Sequence, residues 1–272
     1  MDMFEGKAII VTGGASGIGR ALCGELAARG AMVTVADIDE ALLEETVDSL
    51  RAKGRKAVGA VLDVTDYEAV AKLVDDTACE HGCLDYMFNN AGICIFGEAH
   101  DLSIDDWRRV IDVNLYGVVN GVAAAYPVMV KQGFGHVVNT ASLAGLVPAS
   151  GEISYTASKY GIVGLTNALR AEGAAYGVKA SVVCPGFIRT PIYENLELVK
   201  LDREKLMKIT PRGASVEKCA STIVRGVEKN KAIILVTAQA GVMWLLQRIS
   251  PGLVRRLSSG LLIKSIRTSK IE

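Results

Sequence analysis

An α/β fold built on a parallel sheet covered on both faces is predicted by three observations. Seven short, mostly β-branched runs recur along the chain. Helical patterns separate consecutive runs. No linker, low-complexity tract or internal repeat divides the 272 residues. The strand candidates are KAIIVT (7–12), MVTVA (32–36), KAVGAVL (56–62), LDYMF (84–88), GHVVNT (135–140), KASVVC (179–184) and KAIILV (231–236). Between them, as in Gly19 to Arg29 and Glu40 to Ala52, leucines and alanines recur at spacings of three and four. That is the period of an amphipathic helix.

Half of the residues are hydrophobic, enough for one large domain with a sizeable core. Lysine plus arginine equals aspartate plus glutamate, 30 against 30, which argues against nucleic acid as the main partner. The N-terminus MDMFEGKAIIVTGG lacks a basic n-region and a cleavage site, so no secretory signal is expected. The cysteines at 23, 79, 83, 94, 184 and 219 form no CxxC pair, and the three histidines stand apart. Reduced thiols in a cytoplasmic protein are expected, with no metal centre. His81, His100 and His136 read as surface or structural groups.

After the first strand comes TGGASGIG, residues 12–19. Its Gly13, Gly17 and Gly19 allow a tight turn close to a bulky ligand. The following helix directs its N-terminal amides at an anion such as a pyrophosphate. Asp37 ends the second strand, where a carboxylate accepts hydrogen bonds from a ribose diol and repels a 2′-phosphate. Ile38 follows it, and Ser16 occupies the loop position where a phosphate-pairing base would sit. This pattern favours NAD over NADP.

YTASK (155–159) places Tyr155 and Lys159 four residues apart, on one face of a helix. A phenol titrates near pH ~10, so proton transfer near neutrality needs its anion stabilised by about 4 kcal/mol. A cation ~4 Å away supplies a contribution of that order at an effective dielectric of ~20.

These motifs together resemble the short-chain dehydrogenase/reductase family, in its single-domain branch. TGGASGIG resembles the family's cofactor loop, with Ile18 inside it, and NNAG (89–92) resembles the signature after the fourth strand. Asn114, Ser142, Tyr155 and Lys159 match the catalytic set in order, and PGFIRT (185–190) resembles the nicotinamide-side PGxxxT. The resemblance covers residues 6 to about 237 and implies a doubly wound Rossmann fold with a seven-stranded parallel sheet. It implies that Tyr155 is the general acid/base and that Lys159 lowers its pKa and holds the nicotinamide ribose. Ser142 would hydrogen-bond the substrate oxygen, and Asn114 would bind a water extending the proton path. Asp63 and Val64 would meet the adenine, and Asn90, Ala91 and Gly92 the adenosine ribose and its edge. Pro185, Gly186, Ile188 and Thr190 would meet the carboxamide and phosphates. The expected activity interconverts a secondary alcohol and its ketone. The alternatives are an NADP-dependent carbonyl reductase or a non-catalytic dinucleotide-binding scaffold or sensor. A homodimer or homotetramer is expected, pairing helices near 105–131 and 153–176.

The expected organisation is one domain, 1–238, with a substrate lid at 186–213, and a basic amphipathic extension, 239–272. Phe187, Ile192, Tyr193, Leu196 and Leu198 either line an apolar pocket or pack the lid onto the protein. Glu152 either reaches a polar substrate group or favours the start of a helix through its dipole. In the extension, Val242, Leu245, Leu246 and Ile249 share a helical face, and Leu253, Leu257, Leu261 and Ile266 continue it past Ser250-Pro251-Gly252. The charges are six positive against Glu272. Ala232–Ile249 is not expected to span a membrane, because its first part reads as a strand. The extension packs on a neighbouring subunit or over the active site, or lies on an anionic membrane.

Overall fold

The computed structural model describes residues 2–190, 192, 196–209, 213–257 and 267–271. The seven predicted runs become β1 (Ala8–Thr12), β2 (Met32–Asp37), β3 (Ala57–Val61), β4 (Tyr86–Asn89), β6 (Gly135–Thr140), β7 (Val178–Cys184) and β9 (Ile233–Leu235). They form one sheet in the order β3-β2-β1-β4-β6-β7-β9, with every neighbouring pair parallel. The chain winds outward from β1 to β3, then crosses to β4 and winds the other way. A crevice opens at the carboxyl ends of the strands where the order reverses.

Both faces are covered, which is why β1, β4 and β6 are almost entirely buried. One face carries α1 (Gly17–Ala28), α2 (Glu40–Arg51) and α8 (Val216–Glu228), which pack Leu22, Leu26, Val47 and Ile223 against Val11, Val33 and Val35. The other carries α3 (Tyr67–His81), α5 (Gly117–Gln132) and α6 (Ile153–Gly173), which pack Val74, Met129 and Leu169 against Met87 and Val137. Asp39 and Asp66 cap α2 and α3 by accepting bonds from the amides of Leu42 and Ala69. Ser103 and Asp106 form a capping box at the start of α4 (Ile104–Ile111).

A buried polar ladder fixes α6 against the sheet. The Asn89 amide donates to Asn139 Oδ1 (2.8 Å), the Asn139 amide to Thr166 Oγ1 (3.0 Å), and Thr166 Oγ1 to the Ile162 carbonyl (2.6 Å). His136 is also structural: it is buried and paired with Ser181 (2.9 Å), and burial lowers its pKa to about 3.

The lid contains β8 (Glu197–Leu198), paired with β5 (Ile95–Phe96), and α7 (Arg203–Ile209). Leu196 is buried with Phe96, Leu201 and Leu206, and Leu198 packs against them. These leucines therefore pack the lid onto the protein. A late segment latches this layer. The Ser269 and Lys200 carbonyls accept bonds from the Asp202 and Ile271 amides. The Lys270 ammonium lies between Glu98 (2.5 Å) and Asp101 (2.9 Å). His100 adjoins the same carboxylates, and the ammonium fills the place a cation would take.

The extension departs from the expected layout. The Ser250-Pro251-Gly252 break does separate α9 (Ala238–Ile249) from α10 (Pro251–Leu257). However, Ala240 and Val254 are fully buried, and Met243, Trp244 and Leu246 pack against the cluster holding Val118, Ile162 and Val182. The inner side of this segment belongs to the domain core. Leu246 faces that core, whereas Val242, Leu245 and Ile249 face solvent, so the expected single face is split in two. Leu261, Lys264 and Ile266 lie outside the described residues.

Candidate active site

The glycine loop crosses the carboxyl end of the sheet between β1 and α1. Gly13 (φ +61°) and Gly17 (φ +49°) take left-handed backbone that side chains disfavour. A Cβ on Gly19 would collide with the Gly13 carbonyl and the Asn90 amide. Ser16 precedes α1 without capping it, which leaves the first-turn amides available to an anion. Asp37 braces the loop: its Oδ2 accepts the Ala15 amide (2.9 Å) and its Oδ1 the Asp39 amide (3.2 Å).

Thr12, at the end of β1, ties this loop to NNAG. Its hydroxyl accepts bonds from the Asn90 (3.0 Å) and Ala91 (3.2 Å) amides. The Asn90 side chain returns bonds to the Thr12 (3.1 Å) and Gly13 (3.3 Å) carbonyls. Asp63 is exposed and closes a turn on Thr65, and Val64 is buried beside Gly117. Both stand beyond the walls of the cavity described next.

One cavity unites most of the predicted residues. Its walls include Gly13, Ser16, Gly17 and Ile18 from the loop, Asn90, Ala91 and Gly92 after β4, and Ser142, Tyr155 and Lys159. Pro185, Gly186, Ile188, Thr190 and Ile192 close it. Thr140 and Ala141, not singled out from the sequence, also line it. Phe187 is half-buried beside this wall, and Tyr193 lies outside the described residues.

Lys159 is buried, and its ammonium donates to the Thr140 carbonyl (2.9 Å) while standing 5.3 Å from the Tyr155 ring centroid. Burial lowers its pKa to about 8. Ser142 caps a short turn by accepting the Ala144 amide (3.1 Å). Asn114 sits in a π-helical turn, Asp112–Tyr116, between α4 and α5. Its Oδ1 accepts the Ile93 amide (2.8 Å), and its Nδ2 donates to the Ile93 carbonyl (2.9 Å) and Ser158 Oγ (3.2 Å). The side chain is thus an internal brace, tying the strand 4 loop to α6. π-Helical turns are frequent at functional sites.

Glu152 immediately precedes α6 and does not cap it. It is half-buried, and no described residue donates a hydrogen bond to its carboxylate. Desolvation raises its pKa to about 7. Cys94 is close enough for the Glu152 charge to raise its own pKa further above the effect of burial.

The glycine turn, its acidic brace and the Ser142–Tyr155–Lys159 wall lie together on a doubly wound sheet, the arrangement that a dinucleotide-dependent oxidoreductase site requires. The short chain dehydrogenase profile matches residues 7–200. The chain belongs to the short-chain dehydrogenase/reductase family. SadH of Mycobacterium tuberculosis (strain ATCC 25618 / H37Rv), an oxidoreductase by name, is 36% identical over 263 residues, 94% of this chain and 95% of its own. Cyclohexanol dehydrogenase of Acinetobacter sp. (strain SE19) is 39% identical over 206 residues, 74% of this chain and 81% of its own. A short-chain dehydrogenase/reductase from Burkholderia phymatum, crystallised with NAD, superposes with a TM-score of 0.83 at 30% identity. That match covers 93% of this chain and 96% of the other.

The residues present fit a nicotinamide dinucleotide. An added Cβ on Gly92 would lie 3.0 Å from Asn114 Oδ1 and 3.5 Å from Lys159 Nζ, so bare glycine keeps that wall open. The loop amides suit a pyrophosphate, and the cavity continues to a buried cation beside a phenol.

Proposed function

We propose that the protein is an NAD-dependent dehydrogenase interconverting a secondary alcohol and its ketone. The carrying observation is the shared cavity of the glycine loop, Ser142, Tyr155 and Lys159. Bound NAD(H) supplies the hydride acceptor or donor. Tyr155 takes the proton from the alcohol oxygen, or returns it to the ketone oxygen. Ser142 hydrogen-bonds that oxygen and holds it near the phenol. Lys159, whose ammonium stands 5.3 Å from the Tyr155 ring centroid, favours the phenolate by the attraction of opposite charges. With a pKa of about 8, Lys159 carries that charge at neutrality. Asn114 positions the Ile93 backbone through its side-chain amide.

Asp37 supports NAD over NADP. Its carboxylate already accepts two amides and retains acceptor capacity for a ribose diol. The NAD complex of the Burkholderia protein agrees with this choice. Ile192 lines the cavity on the substrate side, and cyclohexanol dehydrogenase supports an alicyclic or otherwise largely apolar alcohol. Six free thiols suit the reducing cytoplasm.

Tyr155→Phe tests this reading. It removes the proton and keeps the ring, so NADH formation across a panel of secondary alcohols should fall about 10²–10⁴-fold with NAD affinity nearly intact. Retention of more than roughly a tenth of turnover, with chemistry rate-limiting, rejects the role of Tyr155. NAD binding without turnover on any alcohol or ketone would make the protein a sensor.

A further inference from the structure

We propose that the outer face of α9 and α10 docks the protein on an anionic lipid surface. Val242, Leu245, Ile249 and Leu253 form one solvent-facing stripe, with relative exposures of 59%, 56%, 72% and 46%. On α9, spacings of three and four keep Val242, Leu245 and Ile249 on one side of the helix, and Leu253 is exposed on α10 after the Ser250-Pro251-Gly252 break. The opposite side is anchored: Ala240 and Val254 are fully buried, and Met243, Trp244 and Leu246 pack into the core. The stripe is therefore a fixed part of the surface. Contiguous apolar surface of this kind marks a contact site.

Charge selects the occupant. No aspartate or glutamate occurs from Lys229 through Ile271. Arg248 on α9 and Arg255 and Arg256 on α10 are exposed, and Arg248 stacks on Trp244, 5.2 Å from its ring centroid. A two-fold contact between copies would set this face against itself and bring arginine against arginine. An anionic bilayer instead attracts a segment without carboxylates while taking up the apolar stripe, the pattern of an interfacial helix. Position adds a reason for docking. The cap of α9, Thr237, abuts Gly186 in the cavity wall, so an enzyme lying on this face holds its pocket beside the membrane. A largely apolar alcohol then reaches the site from the lipid.

The test is flotation of the full chain with vesicles of phosphatidylcholine alone or mixed with phosphatidylglycerol, at low and high salt. Light scattering without vesicles accompanies it. Binding should require phosphatidylglycerol, weaken with salt, and fall at least about tenfold in Leu245→Ser/Ile249→Ser with oligomeric mass unchanged. Both side chains point outward, and a melting curve checks the fold. Arg255→Glu/Arg256→Glu should lose binding even if the serine variant unfolds. No flotation with anionic vesicles, or equal flotation with neutral ones, overturns the proposal. A fall in mass for the serine or glutamate variant shows that a second copy covers the stripe and also overturns it. None of these readouts needs turnover, so they stand or fall apart from the proposed alcohol chemistry.

Discussion

Replacing Glu152 with glutamine should stabilise the protein above neutrality and change little in acid. Desolvation raises the native carboxyl from 4.5 to about 7, and no described group compensates with a hydrogen bond. In the unfolded chain the same carboxyl ionises at its ordinary pKa. Between these two values the native state binds more protons than the unfolded state, so this carboxyl makes stability fall as pH rises. Above about 7 the whole penalty is present, and below 4.5 it vanishes. At about 1.4 kcal/mol for each tenfold step, the penalty reaches about 3 kcal/mol. Water reaching the half-buried carboxylate reduces it, so the working expectation is ~1–3 kcal/mol. For a domain of this size that is several degrees of melting temperature, at roughly 2–4 °C per kcal/mol. Thermal melts of cofactor-free wild type and Glu152→Gln, at about pH 4.5 and pH 8, would measure it. The curves should nearly coincide in acid and separate in base, with the glutamine variant higher. A gap of equal size at both values, or a variant that melts lower at the higher pH, would refute the desolvated carboxyl.

Asp37→Ala with Ile38→Arg should shift kcat/KM from NAD toward NADP, and a native preference for NADP would overturn the assignment of Asp37. Truncation after Ala238 removes the buried Ala240 and Val254, so it should lower the melting temperature by many degrees; an unchanged melt would show that α9 and α10 are not part of the core. Ile104, Tyr116, Ile153 and Tyr160 are exposed on α4, the π-turn and α6, and pairing of these helices should give a dimer or tetramer. Light scattering at micromolar concentration checks this, and a monomer contradicts it.

The sheet was legible because most strands carry short runs of β-branched and other apolar residues, as β1 (AIIVT) does, the mark of burial on both faces. The turn in TGGASGIG was legible because the left-handed backbone at Gly13 and Gly17 admits few residue types. Other features were invisible because they depend on distant partners. Lys159 finds the Thr140 carbonyl at a sequence separation of 19, and Thr12 meets Asn90 at a separation of 78. Leu245 and Leu246 are chemically equal neighbours, and only the core beneath α9 separates them. Leu196 likewise reads as pocket or packing until Phe96 is placed beside it. VIDVNLYG carries no sign of its π-turn, since the extra hydrogen-bonding residue alters geometry without altering composition.

That turn acts as a phase shift. One residue of α-helix rotates the helix by about 100°, so the additional residue between Asp112 and Tyr116 sets the angular register of everything after it. Deleting any single residue there would leave a more regular helix and a misaligned α5. Gly117 would swing away from Val64, where an added Cβ meets Cγ2 at 2.7 Å, and Gly121 away from Asn89, where no Cβ fits. Bulkier neighbours would rotate into those gaps. A sequence comparison should therefore find this stretch tolerant of substitution at its exposed positions and intolerant of any change in length, although it lies within a helix rather than a loop.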